Sequence, residues 1–318
     1  MENSFKKPGL LAALLIAAAG LACTLLPPLL FVAGGLFGYL LIAGGPLLFL
    51  LSAALCAAGA YALANVAGLW LLAMILPPAL CLFIMLRRKA AYFDTALAVS
   101  ALFTVAFYFM LNLHDILSGS PPFYTQQQWF REVWSQGSVM WAQTSGMGAD
   151  QLALMQELGK SLTAQLPIYM PAVLCGLGAL MGLCNLLLCV RMCRRAAAPI
   201  KPMHAFHLWQ LPKSFLYGTL TMAAGILIAP SLGVSAMDAV TAAAFIVALL
   251  PFAVQGLSVM WFMQKTRRSS IGSFVFLIVI LVFTFPLSVF SLGIVGLLEQ
   301  IFHIRRKLLQ RGNPNQQG

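Results

Sequence analysis

The stretch GLLEQIFHIRRKLL, residues 296–309, indicates where the chain resides. It closes a long apolar run and places Glu299 one to two helical turns before the cations Arg305 and Arg306. A cluster of cations directly after an apolar segment is typical of the cytoplasmic end of a membrane helix. The stretch therefore predicts a last membrane helix that ends in the cytoplasm. We expect Glu299 to pair with one of the two arginines or with a neighbouring helix.

The composition extends this interpretation to the whole chain. Of 318 residues, 61% are hydrophobic and only 8% are charged, whereas about 25% are charged in an ordinary soluble domain. The net charge of +11 comes from short basic clusters between apolar segments, a pattern of cytoplasmic loops rather than of nucleic-acid binding. We predict an all-α, polytopic helical bundle of a cytoplasmic membrane, with the lipid bilayer as its first partner.

Ten apolar segments are candidates for membrane helices, because a helix needs about 20 apolar residues to cross the hydrocarbon. The first three are short and are separated by Pro27-Pro28 and by Gly44-Gly45-Pro46, residues that interrupt helices. Some of these short segments are expected to be re-entrant, so we predict about 8–10 membrane helices. The ten segments are 9–26, 29–44, 46–63, 66–86, 92–112, 167–190, 214–230, 236–263, 271–286 and 287–303.

The distribution of cations predicts the side of the membrane on which each loop lies. With the N-terminus inside, every lysine and arginine except Arg131 and Lys160 falls on the cytoplasmic side, as the positive-inside rule requires. Both termini are then cytoplasmic. The rule also requires an even number of crossings between Ile271 and His303, which we divide at Pro286.

These segments predict four regions. An N-terminal membrane bundle of about five helices (1–112) is followed by an extracytoplasmic loop (113–166), a C-terminal bundle of about five helices (167–304) and a basic cytoplasmic tail (305–318). Helical spacing within the loop predicts two amphipathic helices lying on the outer membrane surface; a lid over a binding cavity is the alternative. Their apolar faces consist of Trp129, Phe130, Val133 and Trp134, and of Leu152, Met155, Leu158 and Leu162.

Several kinds of chemistry find no support in the sequence. The segment LGKS, residues 158–161, resembles the end of a phosphate-binding loop, but position 154 is leucine where that motif requires glycine. His204 and His207 lack the further ligands of a zinc site. We also find no catalytic triad or paired carboxylates, and the seven cysteines do not suggest disulfides. We therefore expect no enzyme activity, no cofactor and no metal, and any ATPase must be another subunit.

Two polar side chains at membrane depth are candidates for substrate binding. Asn185 and Gln255 are the deepest, and a polar group in lipid is costly unless it is paired or faces a cavity. Small residues at a spacing of four form a candidate docking face for a membrane partner; internal packing is the alternative. This face consists of Ala13, Ala17, Gly34 and Gly38.

The order of motifs after Phe206 resembles the YybS-like family of bacterial membrane proteins. The motifs are FHLWQLP (206–212), FAVQGLSVMWF (252–262) and GLLEQIFHIRRK (296–307). The chain departs from this pattern at His303, where the resemblance implies an acidic residue. The residues that match the family pattern, beside Leu211 and Gln255, are Trp209, Pro212, Gly256, Gly296, Glu299 and Arg305.

This family is remotely similar to the substrate-binding membrane components of energy-coupling-factor transporters and, more remotely, to cell-shape scaffolds. The resemblance implies a small-solute permease, or a substrate-binding component without its own ATPase that docks on a coupling subunit. The alternative is a membrane scaffold or assembly factor for cell-envelope proteins. The two readings differ in whether Asn185 and Gln255 line a solvated cavity or bond one helix to another.

The predicted topology can be tested by cysteine labelling on a cysteine-free background. We expect a reagent applied from outside to modify Gly146→Cys and to leave Lys89→Cys, Ala197→Cys and Gln310→Cys unmodified, because only position 146 lies in the predicted outer loop. Labelling at 310 without labelling at 89 would show that the crossings after Ile271 are miscounted.

Overall fold

The structure, a computed structural model, describes residues 8–23, 26–202, 205–232, 237–266 and 287–307, with short pieces at 272, 279–280 and 283–284. Within these ranges the protein is all-helical, as predicted. The helices are α1 (Leu10–Ala22), α2 (Leu30–Tyr39), α3 (Pro46–Arg87), α4 (Tyr92–Ser118), α5 (Tyr124–Ser145), α6 (Ala149–Arg195), α7 (Lys213–Ile228), α8 (Met237–Thr266) and α9 (Leu287–Phe302).

Among the described residues, five helical segments are long and apolar enough to cross a membrane, which confirms a polytopic helical membrane protein. They are Pro46–Asn65, Gly68–Arg87, Tyr92–Ser118, Ala149–Arg195 and Val240–Thr266. Four of the predicted spans are shorter apolar helices: 9–26, 29–44, 214–230 and 287–303. The predicted span 271–286 lies almost entirely outside the described residues.

Helix α3 is a helical hairpin with two limbs, Pro46–Asn65 and Gly68–Arg87. Its turn lies where Ala64 and Asn65 leave helical geometry, and Asn65 has φ +51°, a left-handed conformation that asparagine tolerates better than most residues. Gly68 then packs against the backbone carbonyl of Ala60, where a Cβ atom does not fit. The sequence placed this break between residues 63 and 66, and the structure agrees.

The chain forms two compact units, the first comprising Met1–Ile200 with Asp238–Ala243. In this unit α6 packs against α2, α4 and α5, and α3 packs against α1, α2 and α4. Gly35 lies directly against the backbone carbonyl of Asn185, so that α2 and α6 touch through their main chains. Such close approach is a common way for helices to associate in lipid.

Two polar residues at the end of α4 position the start of α5. The side chain of Asn112 accepts a hydrogen bond of 2.6 Å from the backbone N–H of Phe123. The carboxylate of Asp115 accepts bonds from the backbone N–H and the hydroxyl of Thr125. Both polar side chains are fully buried. They satisfy N–H groups in the first turn of α5, which no helical carbonyl reaches.

Helices α5 and α6 form a second helical hairpin. Gly159 of α6 lies against the ring of Trp134, whose indole N–H donates a hydrogen bond of 2.9 Å to the carbonyl of Met155. The side-chain amide of Gln127 donates a bond of 3.1 Å to the carbonyl of Thr163. That carbonyl has no helical partner because Pro167, four residues later, lacks an N–H. Gln127 of α5 thus replaces the hydrogen bond that Pro167 cannot donate within α6.

This hairpin differs from the predicted pair of surface helices. The second amphipathic segment is not separate, because it is the first part of α6, which continues for 47 residues. At 1.5 Å per residue α6 measures about 70 Å, more than twice the thickness of the hydrocarbon. The expected apolar face of α5 is also divided: Phe130 and Trp134 are partly covered, whereas Trp129 and Val133 are exposed.

The second unit comprises Lys201–Met237 with Ala244–Gly318. The predicted boundaries at 112/113 and 166/167 concern where the chain leaves and enters the membrane, and the four predicted regions stay a prediction. Helix α4 runs through the first of these positions and α6 through the second. Which residues lie inside and outside the membrane stays a prediction.

We expect Gly35→Ala to destabilise the first unit, because its new Cβ atom overlaps the Asn185 carbonyl and must push α2 and α6 apart. Overpacking of this kind costs about 1–3 kcal/mol. The measurement is the melting temperature in detergent. Gly137→Ala is the matched control, since Gly137 has open space around its Cα in helix α5, and it should melt at or slightly above the wild-type temperature. Equal melting of the two variants would contradict the close contact.

Candidate functional site

The residues of the family pattern converge in the second unit around residues 206–212, which we call the connector. The connector leads into α7 and contains one turn of 3-10 helix, Phe206–Leu208. Pro212 immediately precedes α7, with Lys213 as the first helical residue. The rings of Phe206 and Trp209 lie 5.2 Å apart, edge to face.

Two glycines bring α8 and α9 into contact behind the connector. A Cβ atom on Gly256 would overlap the carbonyl oxygen of Leu292, and one on Gly296 would overlap that of Phe252. Any larger residue at either position therefore forces the two helices apart. Glycine at both positions is therefore required for this close contact.

Gln255 closes a ring of three hydrogen bonds. Its side-chain oxygen accepts from the backbone N–H of Leu211 (3.3 Å), and its amide nitrogen donates to the side-chain oxygen of Gln300 (3.1 Å). Gln300 in turn donates to the carbonyl of Leu211 (3.1 Å). Gln255 is 2% exposed. Its amide joins the connector to α8 and α9.

Glu299 pairs with Arg305, the first of the two arginines considered. The guanidinium Nε donates to the carboxylate over 2.9 Å, and the backbone N–H of Arg305 donates to the other carboxylate oxygen over 3.2 Å. Each residue is 3% exposed. Among the residues that the structure describes, this is the only ion pair. Removing one member of a buried pair typically costs about 3–5 kcal/mol.

The same guanidinium also binds the connector. It donates to the carbonyl of His207 (2.8 Å), to the carbonyl of Trp209 (2.7 Å) and to the hydroxyl of Ser258 (3.1 Å). Burial and the charges of Lys265 and Arg305 lower the pKa of His207. His207 therefore binds a proton less readily than a free histidine does.

The side chains that hold the connector form a cluster that we call the connector clasp: Gln255, Ser258, Glu299, Gln300 and Arg305. Sequence reasoning missed two of them, Ser258 and Gln300. Ser258 donates to the carbonyl of Phe206 over 2.7 Å, and Gln300 completes the ring described above. Ser258 follows Gln255 by three residues and therefore lies on the same face of α8. Gln300 is the glutamine beside Glu299 in the apolar run. In both cases a polar residue close to a recognised one was the available signal.

Asn185, the other predicted substrate-binding residue, lies in the first unit and is fully buried. Its side-chain oxygen accepts from the N–H of Gly35 (2.6 Å). Its amide donates to the carbonyls of Leu30 (3.1 Å) and Met181 (2.8 Å). All these partners are backbone groups of α2 and α6, so Asn185 bonds one helix to another.

The predicted docking face is covered by the protein itself, which corresponds to the packing alternative. The hydroxyl of Ser52 donates to the carbonyl of Ala13, and Gly38 lies against Leu82. The close contact of α2 with α6 covers Gly34. All four residues of this face, Ala13, Ala17, Gly34 and Gly38, are buried.

Two surface cavities are lined by other residues. One, of about 480 Å³, lies on the hairpin of α5 and α6 and is lined by Ser135, Gln136, Val139, Met140, Gln143 and Gln156. The other, of about 540 Å³, lies at the end of α9. His204 is outside the described residues, and within the described part of the chain no three His, Cys, Asp or Glu side chains are grouped to hold a metal.

Long apolar helices joined by buried polar contacts define a polytopic α-helical membrane protein. The chain belongs to the DUF2232 family of predicted membrane proteins, whose model matches residues 10–298. This finding is consistent with the resemblance carried by the motifs after Phe206. Comparison with curated proteins and with solved structures gives no match.

We expect Gln255→Leu to lower the melting temperature, because it leaves the Leu211 N–H and the side-chain oxygen of Gln300 without partners. A buried unsatisfied group costs about 1–3 kcal/mol, whereas an average interhelical hydrogen bond in a membrane is worth about 0.6 kcal/mol. Gln210→Leu is the matched control, since Gln210 is exposed in the same connector. If the two variants melt alike, Gln255 is not part of a structural clasp.

Proposed function

We propose that the protein is a membrane scaffold or assembly factor for cell-envelope proteins. In this proposal it is anchored by its apolar helices and binds a partner through the α5–α6 hairpin. It has neither solute transport nor catalysis of its own. The observation that carries the proposal is the use of both deep amides, Asn185 and Gln255, in bonds to the chain itself.

The permease interpretation requires one of these amides to face solute. Asn185 makes three hydrogen bonds to backbone groups, and Gln255 makes two within the connector clasp. Neither lines either of the two surface cavities. The small-residue face proposed for a coupling subunit is buried as well. These contacts favour the scaffold interpretation over the permease interpretation.

The hairpin carries an apolar stripe on the outer side of α5. Trp129 is 65% exposed, Val133 47% and Met140 67%. Their spacing of four and seven residues puts them on one side of the helix, about a third of a turn around from Trp134, which packs against α6. Large exposed apolar side chains in a row are typical of an interaction surface. We call Trp129, Val133 and Met140 the outer stripe.

The proposed occupant of the outer stripe is an α-helix of a second envelope protein, with an apolar side and few charges. The stripe extends over 11 residues, or about 16 Å, which is the length of three turns of a partner helix. Residues 124–166 contain only five charged side chains, with a net charge of −1, so apolar and amide contacts must supply the recognition. The five are Arg131, Glu132, Asp150, Glu157 and Lys160.

The length of α6 supports access of such a partner to the hairpin. Its apolar segment, 167–190, is long enough to cross the hydrocarbon, and residues 149–166 extend the same helix by about 27 Å. Helix α5 lies alongside this extension, because Gln127 and Trp134 of α5 donate hydrogen bonds to backbone carbonyls within it. A helix held in this way is supported by the bundle and remains exposed on its other side.

A photo-reactive phenylalanine analogue at position 129 or 140 of the full chain tests the proposal in cells. Both positions should cross-link to one and the same envelope protein, retained at a fixed stoichiometry in native mass spectrometry. Trp129→Gln with Met140→Gln should reduce this retention roughly 30-fold, since buried anchor residues at interfaces contribute about 2 kcal/mol or more.

Trp141→Gln provides the matched control, because Trp141 is 58% exposed on the same helix and lies about a third of a turn around from the outer stripe. This variant should retain the partner. Cross-links from 129 and 140 to lipid alone, to a second copy of the chain, or to a diffuse mixture of proteins would contradict the proposal. A retained solute that is lost in Gln255→Leu at unchanged melting temperature would restore the permease interpretation.

A further inference from the structure

A basic cavity of about 540 Å³ lies where α9 ends and α7 begins. Two exposed apolar side chains, Ile301 and Phe302, form part of its wall. The other lining residues are Lys213, His303, Arg306 and Lys307. Lysine and arginine side chains thus reach one cavity from two parts of the chain almost 90 residues apart in sequence.

The connector clasp fixes the place of these cations. Helix α9 ends at Phe302, and His303 turns the chain with φ +52°. Arg305 is then held in the buried ion pair, whereas Arg306 and Lys307 are exposed. Since the backbone N–H of Arg305 also bonds to Glu299, the chain cannot swing its last cations away without breaking the clasp.

The second unit cannot neutralise this charge itself. Its sequence contains nine lysines and arginines and a single side-chain carboxylate, that of Glu299. Arg305 already occupies that carboxylate. Cations that line one cavity together attract negatively charged groups, so the cavity is suited to an anion supplied from outside this unit.

The neighbouring apolar residues indicate which anion. Arginine and lysine are the side chains that most often bind phosphate, and basic pockets at the ends of membrane helices hold lipid headgroups. Ile301 and Phe302 are each 51% exposed at the end of an apolar helix, where an acyl chain can lie. We propose that this cavity binds the phosphate-bearing headgroup of an anionic membrane lipid, with Lys213, Arg306 and Lys307 contacting the phosphate.

Native mass spectrometry of the full chain in neutral detergent tests this proposal. The protein is titrated with phosphatidylglycerol and, separately, with zwitterionic phosphatidylcholine. Wild type should retain the anionic lipid in preference. The triple variant Lys213→Gln, Arg306→Gln, Lys307→Gln should lose that preference by roughly 100-fold, since each cation near a lipid surface contributes about a factor of five or more.

Two further variants distinguish lipid binding in this cavity from general attraction of anionic lipid to surface cations. The triple variant Arg87→Gln, Arg88→Gln, Lys89→Gln removes the same number of cations at the end of another apolar helix, and it should keep the lipid preference. Lys213→Gln alone should lower it by roughly 5- to 10-fold, by the same arithmetic. All three cavity cations are exposed, so the melting temperature without added lipid should stay at the wild-type value.

Three results would overturn the proposal. The first is equal retention of the two lipids by wild type. The second is an equal loss in the two triple variants, which would assign the effect to bulk charge. The third is saturable binding of inorganic phosphate that displaces the lipid, which would make the cavity a site for a free phosphate compound.

Discussion

The Arg305 guanidinium forms four hydrogen bonds, all to groups of the chain itself, and the second unit depends on them. One bond goes to the carboxylate of Glu299 and two go to carbonyls of the connector. Those carbonyls belong to a segment that is mostly outside regular helix, and a buried carbonyl is costly unless something bonds to it. A single cation therefore allows irregular backbone between helices. Its own charge is balanced by the one carboxylate of the unit.

Close approach of main chains is the second recurrent constraint. Without a hydrophobic force between helices in lipid, attraction must come from packing and from polar contacts. Gly35 lets the backbone of α2 touch α6 at Asn185, and Gly256 lets α8 touch α9 at Leu292. In each case an amide side chain lies at or next to the contact and bonds to backbone groups. Packing and polar bonding are thus built from neighbouring residues.

Apolar length and the residues that interrupt helices predicted most of the fold. The start of α3 follows from the interrupting residues Gly44-Gly45-Pro46, and its two limbs follow from the lengths of the apolar segments 46–63 and 66–86. The motif around Glu299 predicted the ion pair. The backbone partners of Asn185 and Gln255, among them groups of Gly35 and Leu211, were not predictable. Every residue carries the same N–H and C=O, so a side chain's choice among them leaves no mark in the sequence. The exposed side of α5 was equally hidden, since its apolar residues occupy two sides of the helix.

The bond between Gln127 and the Thr163 carbonyl gives α6 a latch. Pro167 makes this a point at which the helix bends easily, because no N–H restrains the carbonyl four residues earlier. While α5 stays in place, Gln127 provides the missing hydrogen bond and keeps the first part of α6, residues 149–166 (the arm), in line with the rest of the helix. We expect that pulling α5 sideways releases the carbonyl to water and lets the arm pivot there. The lower part of α6, which carries Asn185, would stay still, so the hairpin can yield to a load without loosening the bundle that anchors it.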